Sequence, residues 1–338
     1  MIDDWFKKIT GFEELANDVH KKLTFSKDQI YSQVNKRRLH VGPFETVSLN
    51  DLRERLSKKK QGKQSSVFEI VRGDAGSLHQ SSQNNGTSFQ VASQFNCLEM
   101  ADPEFVPEDG VTIYQHDQTQ GPSCAIAAGA GTIYRNYFHS VNGKKGQTEK
   151  NQIDTSKNLR AAIAENLSVP EGSLWTVKNG YLFSEEESLK AIDSHLKECN
   201  SDDLDAYRRV LEVGVHWDTQ VTKEPVSPNQ RVCQVFCSAL PVSYNRYSGG
   251  LWETFAVMIL ESAYEATLLA ARLNCAQKKV NKVFLTMLGG GAFGNEEDWI
   301  LSAIARAVRV NQHAGLDIKL VSYSKPSANL EAFSPYNY

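Results

Sequence analysis

The sequence lacks the features that mark several protein classes. Its 338 residues contain no Cys-x-x-Cys pair and no excess of either charge, since the formal net charge is −3. No apolar run approaches the roughly 20 residues that span a membrane. The first residues do not have the charged-then-apolar order of a signal peptide. We therefore expect an intracellular protein, cytoplasmic or nuclear, with neither a nucleic acid nor a membrane as partner.

The six cysteines are dispersed along the chain, which argues against a disulfide framework. Cys233 and Cys237 share an apolar run, but no histidine stands at metal-ligand spacing from them. This pattern predicts free, mostly buried thiols in a reducing compartment. It predicts neither a bound metal nor a cofactor. The thiols considered are Cys97, Cys124, Cys199, Cys233, Cys237 and Cys275.

The chain divides into an extension and a main domain. Residues 1–65 are predicted to form a polar, helical N-terminal extension, because apolar residues recur there at helical spacing. Its basic end, 51–63, is interpreted as a solvated helix face and linker, or as a patch that docks a partner. Residues 66–338 form the main domain. An insertion at about 141–215 is predicted to hold helices and a hairpin that turns at Asn179-Gly180.

Strand and helix patterns alternate through the main domain. Strand patterns occur at 67–71, 89–95, 231–242, 282–288 and 317–323, and long helix patterns at 252–273 and 299–310. This alternation predicts an α/β layer fold. Between the second strand and the next helix, the irregular stretch 100–121 is long enough to be functional or poorly ordered.

The most informative segment is Met287-Leu-Gly-Gly-Gly-Ala-Phe-Gly-Asn295, which follows an apolar strand and precedes a helix. Consecutive glycines let backbone amides approach phosphate oxygens, because no Cβ stands in the way. The segment therefore favours a diphosphate-binding loop over an ordinary glycine-rich turn. The acidic residues Glu296, Glu297 and Asp298 are usual in the first turn of a helix, although they weaken the field that a phosphate would feel.

Three strand-end motifs resemble those of the macrodomain family. They are Ile70-Val-Arg-Gly-Asp-Ala75, Ala92-Ser-Gln-Phe-Asn96 and the glycine loop, which is closest to its poly(ADP-ribose) glycohydrolase form. The segment 89–131 also resembles atypical macrodomains of the MavL type, which release ADP-ribose from arginine. Ser93 replaces the family's first asparagine, and Gln120-Gly121-Pro122-Ser123 replaces its glycine-rich first loop. The poly(ADP-ribose) glycohydrolase signature, with two adjacent glutamates after three glycines, is absent. The resemblance implies a three-layer α/β/α fold with a mixed central sheet, and mono-ADP-ribosylated rather than polymeric substrates.

The resemblance also implies which residues bind ADP-ribose. Asp74 would accept a hydrogen bond from the adenine amine; the alternative is a turn aspartate that caps a loop. Asn96 would face the distal ribose; the alternative is an asparagine that caps the next helix. The glycine loop would hold the diphosphate, and Phe293 would pack on the ribose. The complete set is Asp74, Ala75, Asn96, Gly121, Ser123, Gly289, Gly290, Gly291, Ala292, Phe293, Gly294 and Asn295.

The candidate catalytic residues are Asp117, Asp109, Glu99 and Gln120, all close in sequence to the first phosphate loop. Cleavage of a ribosyl bond passes through an oxocarbenium-like transition state, which a nearby carboxylate stabilises while water attacks. Asp117 is the first candidate. His116 is interpreted as a surface residue, and the Tyr244–Tyr247 cluster as a possible contact with adenine or substrate. If these carboxylates are only a solvated loop, the chain is instead a non-catalytic ADP-ribose reader, or an unrelated α/β enzyme that acts on a nucleotide or sugar phosphate.

Overall fold

The computed structural model describes residues 4–58, 64–247 and 249–337, and its strands form four sheets. The strands are β1 (Leu23–Ser26), β2 (Gln29–Ser32), β3 (Arg38–His40), β4 (Phe44–Ser48), β5 (Val67–Arg72), β6 (Ser88–Ala92), β7 (Ser140–Val141), β8 (Lys144–Lys145), β9 (Thr176–Lys178), β10 (Tyr181–Phe183), β11 (Glu212–Gln220), β12 (Arg231–Cys237), β13 (Lys282–Thr286) and β14 (Asp317–Ser322).

The helices alternate with these strands over most of the main domain. They are α1 (Trp5–Thr10), α2 (Ala16–Lys22), α3 (Leu49–Ser57), α4 (Ala75–Gln80), α5 (Gln120–Ala127), α6 (Gly129–Tyr137), α7 (Lys157–Leu167), α8 (Glu171–Leu174), α9 (Glu186–Glu198), α10 (Ser201–Val210), α11 (Glu253–Lys278), α12 (Glu297–Val310) and α13 (Ala328–Ala332).

Seven strands form the central sheet, in the order β4-β11-β12-β6-β13-β14-β5. The five strands from β12 to β5 are parallel, whereas β4 and β11 add an antiparallel edge. The strand β13 is apolar on both faces, as expected for a parallel strand covered on both sides. The carboxyl ends of the parallel strands consequently meet at one edge, where open α/β sheets bind ligands.

Helices cover both faces of this sheet. The long helix α11 and helix α12 pack on one face in the largest apolar cluster, while α4, α5 and α6 lie on the other. The predicted three-layer α/β/α fold with a mixed central sheet is confirmed. Helix α11 is apolar enough to span a membrane by composition, but 83% of its most apolar window is buried inside the fold, as in a core helix. The prediction of free thiols is confirmed for all six cysteines.

The N-terminal region is not the separate helical extension that the sequence predicts. It contains the small sheet β1-β2-β3, and β4 pairs with β11 at the edge of the central sheet. Trp5, Phe6 and Ile9 are buried in one cluster with Met100 and Tyr114 of the main domain. The expected boundary at residue 65 is therefore wrong, because residues 4–58 share both a sheet and a core with the rest. The end of the basic segment, 59–63, lies outside the described residues.

The insertion agrees with its predicted local structure but not with its boundary. Helices α7 and α9 are present, and the hairpin β9–β10 turns at Asn179 and Gly180, whose φ angles are +48° and +82°. The predicted helix 202–213 ends at Val210, where the chain enters β11. The boundary at 215 therefore falls inside a strand of the central sheet.

A buried ion network joins the N-terminal region, the insertion and the main domain. Arg53 of α3 donates to both carboxylate oxygens of Asp205 in α10, each at 2.9 Å, and to Glu265 of α11 at 2.7 Å. Arg306 of α12 donates to the other oxygen of Glu265 at 2.7 Å. The Glu265 side chain is 1% exposed, so both arginines are needed to compensate for its loss of hydration.

We predict that Arg53→Met lowers the free energy of unfolding by about 2–3 kcal/mol, because it leaves a buried carboxylate half paired. Arg55→Met is the matched control on the same helix. Arg55 pairs with Glu45 at 2.7 Å, but both side chains are more than 30% exposed, so the loss should stay below about 1 kcal/mol. Urea denaturation of both variants measures the difference. Equal losses would show that the network does not hold the regions together.

Candidate active site

Two joined clefts lie at the carboxyl ends of the parallel strands. The inner cleft, with about 780 Å³ of empty space including its mouth, lies between the end of β6, the start of α5 and the glycine loop. The outer cleft lies between the ends of β5 and β14 and the same loop, and has about 1380 Å³. Both are lined by Thr119, Gln120, Thr286, Met287 and Gly291, so one elongated ligand can occupy both.

The glycine loop, Met287–Glu296, is held by contacts to its ends. The Tyr264 hydroxyl of α11 donates to the Thr286 carbonyl at 2.7 Å and accepts from the Leu288 amide at 3.0 Å. The Asn295 side chain donates to the Leu240 carbonyl at 2.8 Å, and its backbone amide donates to the Gly289 carbonyl at 3.0 Å. Gly289 has a φ of +77°, and a Cβ there would lie 2.4 Å from that of Ala239.

This loop presents unpaired amides to the inner cleft. Within the described ranges, no acceptor pairs with the backbone amides of Gly289, Gly291, Ala292 or Phe293, and all four residues line that cleft. Successive free amides in a glycine-rich turn form a concave anion-binding site. Gly290, by contrast, donates to the Met287 carbonyl, and Gly294 donates to the Gly291 carbonyl. The predicted phosphate loop thus has four of its amides free for an anion.

The predicted first phosphate loop is the start of α5, which lines the inner cleft together with the glycine loop. A Cβ on Gly121 would lie 2.1 Å from the Ala92 carbonyl, so only glycine permits this approach of helix to strand. The amides of Gln120 and Gly121 are in the first turn, where a helix leaves its N–H groups without intrahelical partners. Ser123 does not line either cleft. Its hydroxyl donates to Asp74 Oδ2 at 3.3 Å.

Asp74 lies at the outer cleft, together with Ala75, and caps helix α4. Its Oδ1 accepts from the Ser77 amide at 2.7 Å and from the Ser77 hydroxyl at 2.8 Å. Burial raises the pKa of Asp74, but these hydrogen bonds and the charge of Lys223 outweigh it, so the pKa lies below its usual value. The carboxylate is therefore ionised, and Oδ2 can accept a further hydrogen bond.

Two further side chains at the outer cleft are Tyr323, which was not predicted from the sequence, and Asn295, which was. Tyr323, just after β14, lines the cleft with 77% of its surface exposed. Asn295, which the sequence predicts to bind ADP-ribose, lines the same cleft, and its Oδ1 is buried without a partner among the described residues. The sequence did contain a signal for Tyr323 as a cleft residue, since it is an aromatic residue that directly follows a parallel strand.

Two of the four candidate catalytic residues lie where substrate chemistry is feasible. Asp117 is half-buried at the inner cleft, and its Oδ1 accepts from the Thr119 amide at 2.8 Å, which leaves Oδ2 uncommitted. Glu99 lies beneath the floor of the same cleft. Both of its carboxylate oxygens accept from Arg135 Nη2, at 3.1 and 3.3 Å, and the pair is fully buried.

Burial raises the pKa of Glu99 to about 7, although the charge and hydrogen bonds of Arg135 act in the opposite direction. The raised value follows from the loss of hydration, which disfavours the charged carboxylate. The protonated form of Glu99 is therefore more accessible near neutral pH than that of an exposed glutamate. A carboxyl with that property is suited to general acid–base chemistry.

Three predicted site residues have other roles. Asp109 is exposed outside both clefts, where its Oδ2 accepts from the Val106 amide at 2.9 Å in a 3₁₀ turn. Gln120 lines the clefts, but its side-chain amide pairs with the backbone of β6. Its Oε1 accepts from the Ala92 amide, and its Nε2 donates to the Gln90 carbonyl. Asn96 is buried and donates to Gln152 at 2.8 Å. These side chains make contacts within the fold, and the assignments of Asp109 and Gln120 to catalysis and of Asn96 to ribose binding stay predictions.

Aromatic rings form the wall of the inner cleft. The ring of Phe293 lies 5.4 Å from that of Tyr181 and 5.7 Å from that of Tyr244, measured between centroids. The Tyr181 hydroxyl donates to the Met100 carbonyl at 2.6 Å. Both Phe293 and Tyr244 line the inner cleft, which is compatible with the predicted contacts of Phe293 with ribose and of Tyr244 with substrate. Gly294 does not line either cleft.

The loop that carries Asp117 is anchored by the N-terminal region. Glu14 accepts from the amides of Val111 and Thr112, at 3.0 and 2.6 Å, and from the Tyr137 hydroxyl at 2.7 Å. The 3₁₀ turn Thr112–His116 begins there and ends directly before Asp117. His116 is exposed, as predicted. Over the described ranges, no group of three His, Cys, Asp or Glu residues is arranged to hold a metal ion.

The raised pKa of Glu99 predicts a specific pH dependence of stability. Its folded-state pKa of about 7 lies above the ordinary 4.5, so between these values the native state binds more protons than the unfolded chain. The contribution of Glu99 to the free energy of unfolding is fully present below pH 4.5 and is lost as the pH rises through 7. Relative to Glu99→Gln, the wild type should lose up to about 3 kcal/mol over this range. A difference in unfolding free energy that does not change with pH would contradict it.

Comparison with known proteins gives only remote similarities. No family model and no curated protein matches the chain. Among solved structures, the poly(ADP-ribose) glycohydrolase of Thermomonospora curvata gives a TM-score of 0.47 at 11% identity, over 95% of this chain and 94% of that one. Its complex with the inhibitor ADP-HPD gives 0.44 at 11%, over 96% of each chain. The Deinococcus radiodurans enzyme in complex with ADP-ribose gives 0.41 at 11%, over 85% and 90%. Similarity at this level does not assign the chain to a family.

Proposed function

We propose that this chain is a hydrolase that binds ADP-ribose across the two clefts and cleaves the bond at its anomeric carbon. The observation that carries the proposal is the set of four unpaired amides on the glycine loop, whose residues line the inner cleft and, at Gly291, the outer cleft as well. A diphosphate bound there would direct one end of the ligand into each cleft. The proposed product is ADP-ribose released from a modified protein, in an intracellular location.

The outer cleft supplies what an adenine base requires. Asp74 Oδ2 accepts one long hydrogen bond, from the Ser123 hydroxyl at 3.3 Å, and can accept a second from the exocyclic amine. The exposed ring of Tyr323 offers a stacking surface at the same cleft. The unpartnered Asn295 Oδ1 can accept from a sugar hydroxyl. These features favour an adenine nucleotide over other phosphorylated ligands.

The inner cleft supplies the groups for glycosidic hydrolysis. The uncommitted oxygen of Asp117 would stabilise positive charge that develops on the ribose, and would orient the attacking water. Glu99, with a pKa of about 7, would exchange a proton with the leaving group or with water at neutral pH. Asp117 is therefore the carboxylate proposed to act on the ribose, and Glu99 the buried group proposed to exchange the proton.

We propose arginine as the modified side chain. The guanidinium of the leaving group would pair with the Asp117 carboxylate and stack on the Tyr244 ring, since arginine makes both kinds of contact. The absence of the poly(ADP-ribose) glycohydrolase signature, already noted in the sequence, favours mono-ADP-ribosylated substrates over polymer. The insertion, which contributes Tyr181 to the inner cleft, is long enough to contact a protein substrate.

A non-catalytic reader is the competing function, and one observation favours it. Of the four candidate catalytic residues, only Asp117 both lines the inner cleft and keeps a side-chain oxygen without a hydrogen bond to the protein. A binding module requires the glycine loop and Asp74 but not Asp117. Turnover therefore distinguishes the two functions, and binding alone does not.

We predict that Asp117→Asn lowers kcat for arginine-linked ADP-ribose by about 100-fold or more, because it removes the charge that stabilises the transition state. ADP-ribose binding, measured by calorimetry, should be retained. Asp109→Asn is the matched control, since Asp109 also caps a backbone amide but lies outside both clefts. Serine- and glutamate-linked substrates are tested in parallel.

Release by the wild type that Asp117→Asn loses and Asp109→Asn keeps would establish the hydrolase. The substrate that is cleaved fastest would identify the linkage. Binding of ADP-ribose without release from any substrate would instead establish the reader. Equal affinity for AMP and ADP-ribose would contradict both, and would favour an enzyme that acts on another nucleotide or sugar phosphate.

We predict that Gly291→Asp weakens ADP-ribose binding by at least about tenfold, because it adds a negative charge beside the unpaired amides. A Cβ at Gly291 would have no heavy atom within 4 Å, so the fold should tolerate the change. Gly172→Asp is the control, since a Cβ there also has no neighbour within 4 Å and the residue lies outside both clefts. Equal affinities of the two variants would exclude the glycine loop as the diphosphate site.

A further inference from the structure

Glu14 of the N-terminal region joins two elements of the main domain. Its side chain is half-buried in the segment between helices α1 and α2. Its Oε1 accepts from the Tyr137 hydroxyl at the end of helix α6, at 2.7 Å. Each of its oxygens also accepts from one backbone amide at the start of the 3₁₀ turn Thr112–His116. One carboxylate therefore connects helix α6 to this turn.

Each of these two elements holds one of the candidate catalytic carboxyls. Helix α6 carries Arg135, whose guanidinium donates to the Glu99 carboxylate at 3.1 Å. The 3₁₀ turn ends directly before Asp117, whose backbone amide donates to the Tyr114 carbonyl at 3.2 Å. The Tyr114 hydroxyl, from the middle of the turn, accepts from the Glu99 amide at 3.3 Å. The turn thus contacts both carboxyl-bearing residues, and Glu14 links it to the helix behind Glu99.

The backbone beside the turn leaves room for the Glu14 carboxylate. Gly110 has a φ of +90°, and a Cβ there would lie 2.6 Å from the carboxylate carbon of Glu14. The first amides of a helical turn have no partner within the turn, and an ionised acceptor makes stronger hydrogen bonds to them than a neutral one. Glutamine has the same size but one acceptor oxygen in place of two. Glu14→Gln therefore removes part of this contact without changing the volume of the side chain.

We propose, on the basis of the proposed hydrolase function, that Glu14 is a positioning residue that sets where Asp117 lies relative to Glu99. Glu14 lines neither cleft, so it acts through the 3₁₀ turn and not on the ligand. A small displacement of a reacting group lowers the rate of the chemical step far more than it weakens binding. Loss of the Glu14 carboxylate should consequently reduce turnover and leave the binding of ADP-ribose intact.

Two adjacent glutamates provide a matched pair of variants. Glu14→Gln is the test, and Glu13→Gln is the control, because the Glu13 side chain is 71% exposed and pairs with Lys7 at 2.8 Å outside both clefts. Each substitution is made in the wild type and in Asp117→Asn. The kcat is measured on the substrate that the wild type cleaves fastest. Calorimetry with ADP-ribose gives the affinity, and its stoichiometry corrects kcat for any fraction of the protein that is not folded.

We expect Glu14→Gln to lower kcat by about tenfold and to change the affinity for ADP-ribose by less than about twofold. Glu13→Gln should change neither quantity. In the Asp117→Asn background, Glu14→Gln should lower kcat by less than about a further twofold, because a residue that acts through Asp117 has no additional effect once that carboxylate is gone. An unchanged kcat, an equal loss in Glu13→Gln, or a full tenfold further loss in Asp117→Asn would overturn the proposal.

A second measurement does not depend on turnover. The Thr119 amide donates to Asp117 Oδ1 at 2.8 Å, so its NMR shift reports the position of the Asp117 side chain. This shift should change in Glu14→Gln and stay constant in Glu13→Gln. If the wild type releases no ADP-ribose, the hydrolase function fails, and the Thr119 shift still decides whether Glu14 positions Asp117. A Thr119 shift that is unchanged in Glu14→Gln, or changed equally in both variants, would overturn the proposal.

Discussion

The clefts depend on close contact between backbone atoms at the carboxyl ends of the central strands. A Cβ at Gly121 would lie 2.1 Å from the Ala92 carbonyl, and one at Gly289 would lie 2.4 Å from the Ala239 Cβ. Such distances are not accessible to other residues without movement of the backbone. Because these glycines let a helix start and a loop approach the sheet, their amides line a cleft between them. The side chains around the cleft then add selectivity to a site that the backbone forms.

The rest of the molecule holds these backbone segments in place. Glu14 fixes the loop that leads to Asp117, and Tyr264 fixes the start of the glycine loop. Arg53 and Glu265 connect the N-terminal region to helix α11, which packs beneath β13. The regions that the sequence separates as an extension and an insertion are therefore parts of the structure that supports the site.

Local patterns in the sequence were sufficient for the parallel strands, the hairpin at Asn179-Gly180 and the glycine loop, because each is determined by neighbouring residues. The strands β4 and β11 were not found, since their pairing joins segments far apart in the chain and β4 is only partly buried. The burial of Asn96 was not visible in the sequence, because β6 ends at Ala92 and Asn96 lies in the turn that follows, where Cys97 has a φ of +59°. Nor does the sequence show that the side-chain amide of Gln120 pairs with the backbone of β6.

The central claim is that four backbone amides on the glycine loop bind the diphosphate of ADP-ribose. Amide proton and nitrogen NMR shifts during titration with ADP-ribose test it most directly. The account predicts large, saturable shifts for Gly289, Gly291, Ala292 and Phe293, and smaller ones for Gly290 and Gly294, whose amides already donate within the loop. Saturable binding that leaves the four amides unshifted, or no binding at all, would contradict it.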